Sequence, residues 1–261
     1  MIKRNDLVNF LKKYFEPYEE MAVGREMLIN GLQVKGNEWV KRVGLGVSAN
    51  LEFFKKANAA GCNFLIVHHG LGFSGTEKTN KLAPHIEDRL KFLYKNEISL
   101  CGYHFALDQH PEIGNNAWII KQLGGKVVGS ISHSWGWHAK FLEPRSFSDV
   151  IAQCEKLYGH KGRVVGLRRE NVVNFAVVSG SGALDYKDTE EINSYLEKGI
   201  ELQIVGDMKE SHEGFAKEIG LAIAAFGHYN TETIGVKNLG EVIRKQYSGL
   251  PVEFVDVPND L

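Results

Sequence analysis

Three short stretches of this chain collect residue types that bind metal ions. Val67-His68-His69-Gly70 follows the β-type run Asn63-Phe64-Leu65-Ile66 and opens into Gly70-Leu71-Gly72-Phe73-Ser74-Gly75. The others are Tyr103-His104-Phe105-Ala106-Leu107-Asp108 and Gly227-His228-Tyr229-Asn230-Thr231-Glu232. Neutral imidazole is the commonest protein metal ligand. Neighbours in a strand point to opposite faces, so His68 and His69 can serve one site only where the strand ends and glycine lets the chain bend. His104 and Asp108 are four residues apart, as are His228 and Glu232, and on a helical turn such pairs share a face. The inventory suffices for two metal ions with open coordination positions. Imidazole and carboxylate without thiolate suit Zn, Fe, Mn or Co, and Glu232 is the candidate to bridge two ions. Taken singly, His228 and Glu232 also read as a surface pair, and His68-His69 as one core and one exposed residue. The three stretches together favour metal.

These stretches need elements to carry them. Residues 5–16 read as an amphipathic helix stopped by Pro17, and 27–34 and 39–47 as strands. Residues 51–60 form a helix closed by Gly61, and 63–67 a buried strand. A helix at 82–95 and a strand at 98–103 lead to His104, and a helix at 115–123 follows. Further on, strands are expected at 135–141, 172–178, 202–205, 221–226 and 252–255. Helices are expected at 146–158, 190–198, 211–219 and 231–247. Strands alternating with helices predict an α/β fold. Residues 1–125 with 226–261 are expected to form one module, and 126–225 a second, inserted one. In open α/β sheets ligands bind at the carboxyl ends of strands, where all three stretches fall.

Other residues have plainer readings. His85, His133, His160 and His212 are expected at the surface or as caps, and His138 in packing. His110-Pro111-Glu112 follows Asp108 closely, which makes His110 a candidate beside the site. Asn115 and Asn116 begin a helix, where capping accounts for one of them. Ser179-Gly180-Ser181-Gly182 follows a strand and reads as a tight turn, with phosphate contact through its N–H groups as the second reading.

Bulk properties narrow the function classes. The 261 residues are 43% hydrophobic and 24% charged, so a sizeable core is available. A formal net charge of −1 argues against a basic surface for nucleic acid, a local patch aside, so nucleic acid is not an expected partner. Cys62, Cys101 and Cys154 are too scattered for a disulfide framework and read as reduced core residues. No apolar run approaches the roughly 18 residues of a membrane span, and no signal segment is evident. A cytoplasmic location with no membrane partner is expected.

In sequence order, Leu65-Ile66-Val67-His68-His69-Gly70, His104-Phe105-Ala106-Leu107-Asp108 with Gly114-Asn115-Asn116, Gly180-Ser181-Gly182-Ala183, Val205-Gly206-Asp207 and Gly227-His228-Tyr229 with Glu232 and Gly235 resemble the motifs of one family. The chain resembles the GTP cyclohydrolase I type 2 homologues, also called the NIF-three-like family. Asp207 stands where that family commonly has Glu, and Phe105-Ala106 where a small polar pair is expected. The resemblance implies two similar α/β modules flanking a dinuclear metal cleft, and a homo-oligomer, commonly a hexameric ring. It implies His68, His69, Asp108, His228 and Glu232 as ligands of two divalent ions, with His104 as a ligand or an orienting residue. His104 and His110 have the pKa range of a catalytic proton acceptor. Two functions are expected to compete, with a dinuclear phosphoesterase as a third possibility. One is a dinuclear metal-dependent hydrolase of a nucleotide or related heterocycle, GTP in particular. The other is a metal-binding interaction or regulatory protein without enzymatic activity.

Overall fold

The computed structural model describes residues 1–19, 30–72, 81–133 and 135–259. In chain order its first elements are β1 (Ile2–Lys3), α1 (Arg4–Glu19), β2 (Gly31–Val34), β3 (Trp39–Val40), β4 (Val43–Ser48), α2 (Leu51–Ala59), β5 (Phe64–His69), α3 (Pro84–Lys95) and β6 (Ser99–Gly102). Then follow α4 (Phe105–Asp108), α5 (Asn115–Gln122), β7 (Lys126–Ile131), β8 (Gly136–Ser146), α6 (Phe147–Tyr158), β9 (Arg163–Gly166) and β10 (Asn171–Val178). The last are α7 (Thr189–Glu197), β11 (Leu202–Val205), α8 (Ser211–Glu218), β12 (Ala222–Ala225), α9 (His228–Gln246) and β13 (Val252–Phe254).

The chain divides into two compact units, Met1–Leu107 with Gly235–Val257, and Asp108–Ile234 with Pro258–Leu261. The first boundary falls before residue 125 because α5 packs into the second unit: Ile119, Ile120 and Leu123 share a core with Phe175 and Leu202. The second falls inside α9, whose first turns belong to one unit and whose remainder belongs to the other.

In the first unit, β13, β4, β5, β6 and β2 form a sheet in that order, parallel except for β2. A parallel sheet covered on both faces carries near-continuous apolar strands, and Phe64 to Val67 of β5 are fully buried. One face packs Phe53, Phe54 and Leu93 from α2 and α3 against Leu65, Val67 and Leu100. Elsewhere in the unit, α9 comes close to β4: a Cβ on Gly240 would lie 2.6 Å from a Leu45 methyl. Val236, Leu239 and Ile243 of α9 are buried. Two sequence expectations change here. The run at 39–47 is split into β3 and β4, and α1 continues through Pro17 to Glu19 instead of stopping there. The strand expected at 27–34 is seen only at Gly31–Val34, its first residues lying outside those described, as does part of the glycine-rich loop after His69.

In the second unit, six strands run in the order β7, β8, β10, β11, β12, β9. The central pairs β10·β11 and β11·β12 are parallel. Alternation along β10 sends Phe175 and Val177 into a core with α5 and α6, and Ala176 and Val178 into a core with α7 and α8. Trp137 packs against the first of these cores and Trp135 against the second. Among the described residues no helix is long and apolar enough to cross a membrane. All three cysteines are buried and unpaired with one another.

Candidate functional site

The first unit gathers three histidines at the carboxyl end of its sheet. His68 and His69 are the last residues of β5, and His104 follows β6, the parallel neighbour of β5. Their ring centroids lie 4.7 Å (His68–His69), 4.9 Å (His68–His104) and 5.3 Å (His69–His104) apart. Each offers a nitrogen within 4.8 Å of the others, a grouping able to hold a metal ion.

Their orientations are set locally. His68 is fully buried, and its Nδ1 lies 3.0 Å from the Tyr103 carbonyl oxygen. A carbonyl only accepts, so Nδ1 carries a proton and donates it to Tyr103. His69 Nδ1 meets Ser48 Oγ at 3.1 Å, the two residues being register partners on β5 and β4. The His104 backbone N–H donates to Asn30 Oδ1 at 2.9 Å. Glycine at 70 is required by close approach, since a Cβ there would lie 2.5 Å from the Gln33 amide. That amide accepts the Leu71 N–H at 2.8 Å and so fixes the chain where it leaves the histidines.

The second unit builds a carboxylate and imidazole group. Asp108 ends α4 and is buried; its Oδ1 accepts from Asn115 Nδ2 at 2.7 Å and from Ser179 Oγ at 3.0 Å. His228 opens α9 with Glu232 one turn on, and His228 Nε2 lies 3.2 Å from Glu232 Oε2. On its other side, His228 Nδ1 lies 2.6 Å from Asp207 Oδ2. The Glu232 hydrogen bond, opposed by burial and joined by Asp207, raises the His228 imidazole to about pKa 9.

A turn after β10 ties these groups together. Gly180 N–H donates to Thr231 Oγ1 at 3.1 Å, while the Gly180 carbonyl accepts the Gly206 and Asp207 N–H groups at 2.9 and 2.8 Å. Gly180 sits at φ +59°, and a Cβ there would lie 2.2 Å from Glu232 Oε1. Ser179 and Gly180 therefore hold side chains of the site, beyond the tight turn expected. Asn115 and Asn116 do not cap α5, whose N-cap is Gly114. Asn115 holds Asp108, and Asn116 accepts the Ser179 N–H at 2.7 Å and donates to the Trp135 carbonyl at 2.9 Å.

His110 is differently employed. It is buried, and its Nδ1 accepts the backbone N–H groups of Glu112 and Ile113 at 3.2 and 3.3 Å. Burial lowers its pKa to about 4, so it is neutral and its Nδ1 lone pair serves a turn. His133 pairs with Asp188 at 2.5 Å, and His212 is buried with Nδ1 accepting the Lys209 N–H at 2.6 Å. His138 packs in β8 with Nε2 3.2 Å from Asn174. The residues that pattern reasoning left out of the site are Asp207, Ser179 and the two asparagines. Asp207 and Ser179 obey the signal that found the histidines, since each follows the end of a parallel strand.

A strand-end histidine cluster in an α/β unit, and a carboxylate-held histidine in a second, define a candidate metal-binding protein of the two-unit α/β class. The sequence profile of the Duf34/NIF3 (NGG1p interacting factor 3) family matches residues 2–260, and the chain belongs to that family. It is 30% identical over 249 residues to the GTP cyclohydrolase 1 type 2 homolog of Archaeoglobus fulgidus, covering 95% of this chain and 97% of the relative. The homolog of Pyrococcus abyssi is 32% identical over 266 residues and all of both chains. The solved structure of protein ybgI, described as of unknown function, superposes with a TM-score of 0.84 at 30% identity over the full length of both.

Proposed function

We propose that this protein is a dinuclear metal-dependent hydrolase acting on a nucleotide or related heterocycle. Its two divalent ions, Zn, Fe, Mn or Co, would be held by His68, His69, Asp108, His228 and Glu232. The observation that carries this reading is the Asp207–His228–Glu232 row. A carboxylate on Nδ1 fixes the tautomer and presents Nε2, the arrangement that orients metal-binding histidines. His68 is prepared likewise by the Tyr103 carbonyl. The donor set also fits, because it offers imidazole nitrogen and carboxylate oxygen with no thiolate. Such ions supply a water of lowered pKa and a Lewis acid for the bond under attack.

The remaining work falls to the chain's own side chains. Asn115 and Ser179 both donate to Asp108 Oδ1 and so position the carboxylate that would help to hold an ion. Glu232 would be shared between the two ions. His104, half-buried beside His68 and His69, is the base that would accept a proton from the attacking water. His110 acts by positioning, since its Nδ1 is committed to backbone. For GTP the attacked atom would be C8 of the base, with formate released; phosphate-ester cleavage is the second chemistry. We extend the proposal to a hexameric homo-oligomer in the cytoplasm.

One finding favours the competing reading of a metal-binding interaction protein: the family's description names an interacting factor. Formate and phosphate release from GTP, measured with Zn, Mn, Fe and Co in turn, separates the two. The hydrolase reading expects turnover that disappears in Glu232→Ala. No turnover with any of the four metals would favour the interaction protein.

A further inference from the structure

The turn between β7 and β8 is held in a backbone that its residues do not favour. Ser132 and His133 sit at φ +53° and +51°, a conformation that non-glycine residues keep only when their surroundings impose it. Strain of this kind collects where a function needs the geometry it fixes.

Glu191, in the first turn of α7, imposes it. Its Oε1 accepts the Ser132 N–H, and its Oε2 accepts the His133 N–H at 3.3 Å. The side chain is buried. A buried carboxylate is costly unless hydrogen bonds meet it, and here both oxygens are spent on the turn. Asp188 is the second clamp. Its Oδ1 accepts the Glu191 N–H at 3.0 Å, and its Oδ2 lies 2.5 Å from His133 Nε2. The Ser132 hydroxyl is tied as well, with Oγ 3.0 Å from Tyr195 Oη.

The far side of the turn leads to Asp108. Trp135 N–H donates to the Ser132 carbonyl at 2.8 Å, which ties Trp135 to the clamped residues. The Trp135 carbonyl accepts Asn116 Nδ2 at 2.9 Å, and Asn116 Oδ1 accepts the Ser179 N–H at 2.7 Å. Asn116 is fully buried, so solvent cannot stand in for either partner. Ser179 Oγ then donates to Asp108 Oδ1 at 3.0 Å. Every residue of this series lies in the second unit.

We infer that Glu191 is a positioning residue for Asp108: by clamping the β7–β8 turn it fixes the Trp135 carbonyl and, through Asn116 and Ser179, the Asp108 carboxylate. The inference deepens the metal reading of the proposed function and rests on it only for the effect on an ion. The strained turn is kept because a relaxed one would carry the Trp135 carbonyl away from Asn116. Asn116 would then lose the bond that aims its other end at Ser179.

The test compares full-length variants by NMR without metal and by zinc retention against a chelator. Glu191→Gln keeps the shape and one acceptor oxygen but turns a donor toward the second N–H. The Ser179 backbone amide should shift, and so should the side-chain amide of Asn115, which donates to Asp108 Oδ1. Zinc retention should weaken roughly 2- to 30-fold, the range for mutations along a coupled network. In a Ser179→Ala background, where the last bond is cut, Glu191→Gln should cost less zinc affinity than it does alone. Gly159→Ala controls for general loss of stability. Gly159 lies in the same unit at φ +81° with nothing within 4 Å of an added Cβ, so its replacement should lower the urea midpoint and leave zinc and both amide signals unchanged. Asp188→Asn keeps the helix cap and loosens the hold on His133; it is the variant to use if Glu191→Gln does not fold, and it should shift the same two signals. Unshifted signals in a folded variant, a zinc loss additive with Ser179→Ala, or an equal zinc loss in Gly159→Ala would overturn the inference. Shifted signals in a chain that takes up no zinc would support the positioning role and sink the metal reading alone.

Discussion

The Asp207 carboxylate lies 2.6 Å from Nδ1 of His228, and the same ring turns Nε2 toward Glu232 at 3.2 Å. Two acids thus claim the two nitrogens of one imidazole. The metal-free ring is cationic between them, and a metal ion can replace the proton on the Glu232 side while Asp207 keeps the other.

Asp207→Asn should therefore weaken metal retention by about 10- to 100-fold, the usual cost of losing a partner that orients a metal ligand. Competition with a chelator of known affinity measures this. Circular dichroism should be unchanged, because Asp207 is partly exposed and its backbone N–H bond to Gly180 remains.

Metal uptake should release protons. The metal-free His228 is raised to about pKa 9, so it is protonated at pH 7, and ligation needs it neutral. Apparent affinity should rise with pH up to about 9 and then level off. Calorimetric titration at pH 7 in two buffers of different ionisation enthalpy should show about one proton released from this ring. The stability linkage has the opposite sign. A pKa raised above its ordinary 6.5 stabilises the metal-free fold fully below 6.5, and that contribution is lost as pH rises through about 9.

Gly180→Ala should lower stability and metal content together. The backbone is left-handed at φ +59°, and the added Cβ would lie 2.2 Å from the Glu232 carboxylate. Strain of about 1–3 kcal/mol is expected from the conformation alone, read as a lower urea midpoint at unchanged slope. Gly124→Ala serves as a comparison, since it also has positive φ but nothing within 4 Å of the added Cβ. It should lose stability and keep its metal.

The cysteines should stay silent in the folded protein. Burial pushes the Cys62 thiol up to about pKa 12, helped by its hydrogen bond to Glu253, and Cys154 likewise to about 12. Cys101 is raised by burial as well. The thiolate is the reactive form, so a thiol reagent at pH 8 should label none of the three natively and all three in denaturant.

Much of this was legible in the sequence because the strands announce themselves. The apolar run ending at Val67 is buried on both faces, and the histidines after it fall where the sheet stops. Helix ends were less legible. α9 begins at His228, three residues before the expected start, and that extension puts His228 and Glu232 in register on one turn. α1 runs through Pro17, whose missing N–H does not end the helix here. The supporting residues escaped for a different reason. Asn115 and Asn116 look like caps in any helix start, and only tertiary contact shows that one holds Asp108 and the other Ser179. Likewise, that α5 belongs to the second unit depends on the packing of Ile119 and Ile120 against Phe175, which no local pattern carries.

The central claim is that His68, His69, Asp108, His228 and Glu232 hold two metal ions, and elemental analysis of the purified chain tests it most directly. Protein prepared without chelator should carry about two divalent transition-metal ions per chain, and Asp108→Ala and Glu232→Ala should each lose at least one. His104→Ala should lose less than His69→Ala if His104 only accepts a proton. A folded chain that carries no transition metal, even after reconstitution with Zn, Mn, Fe and Co, would contradict the account.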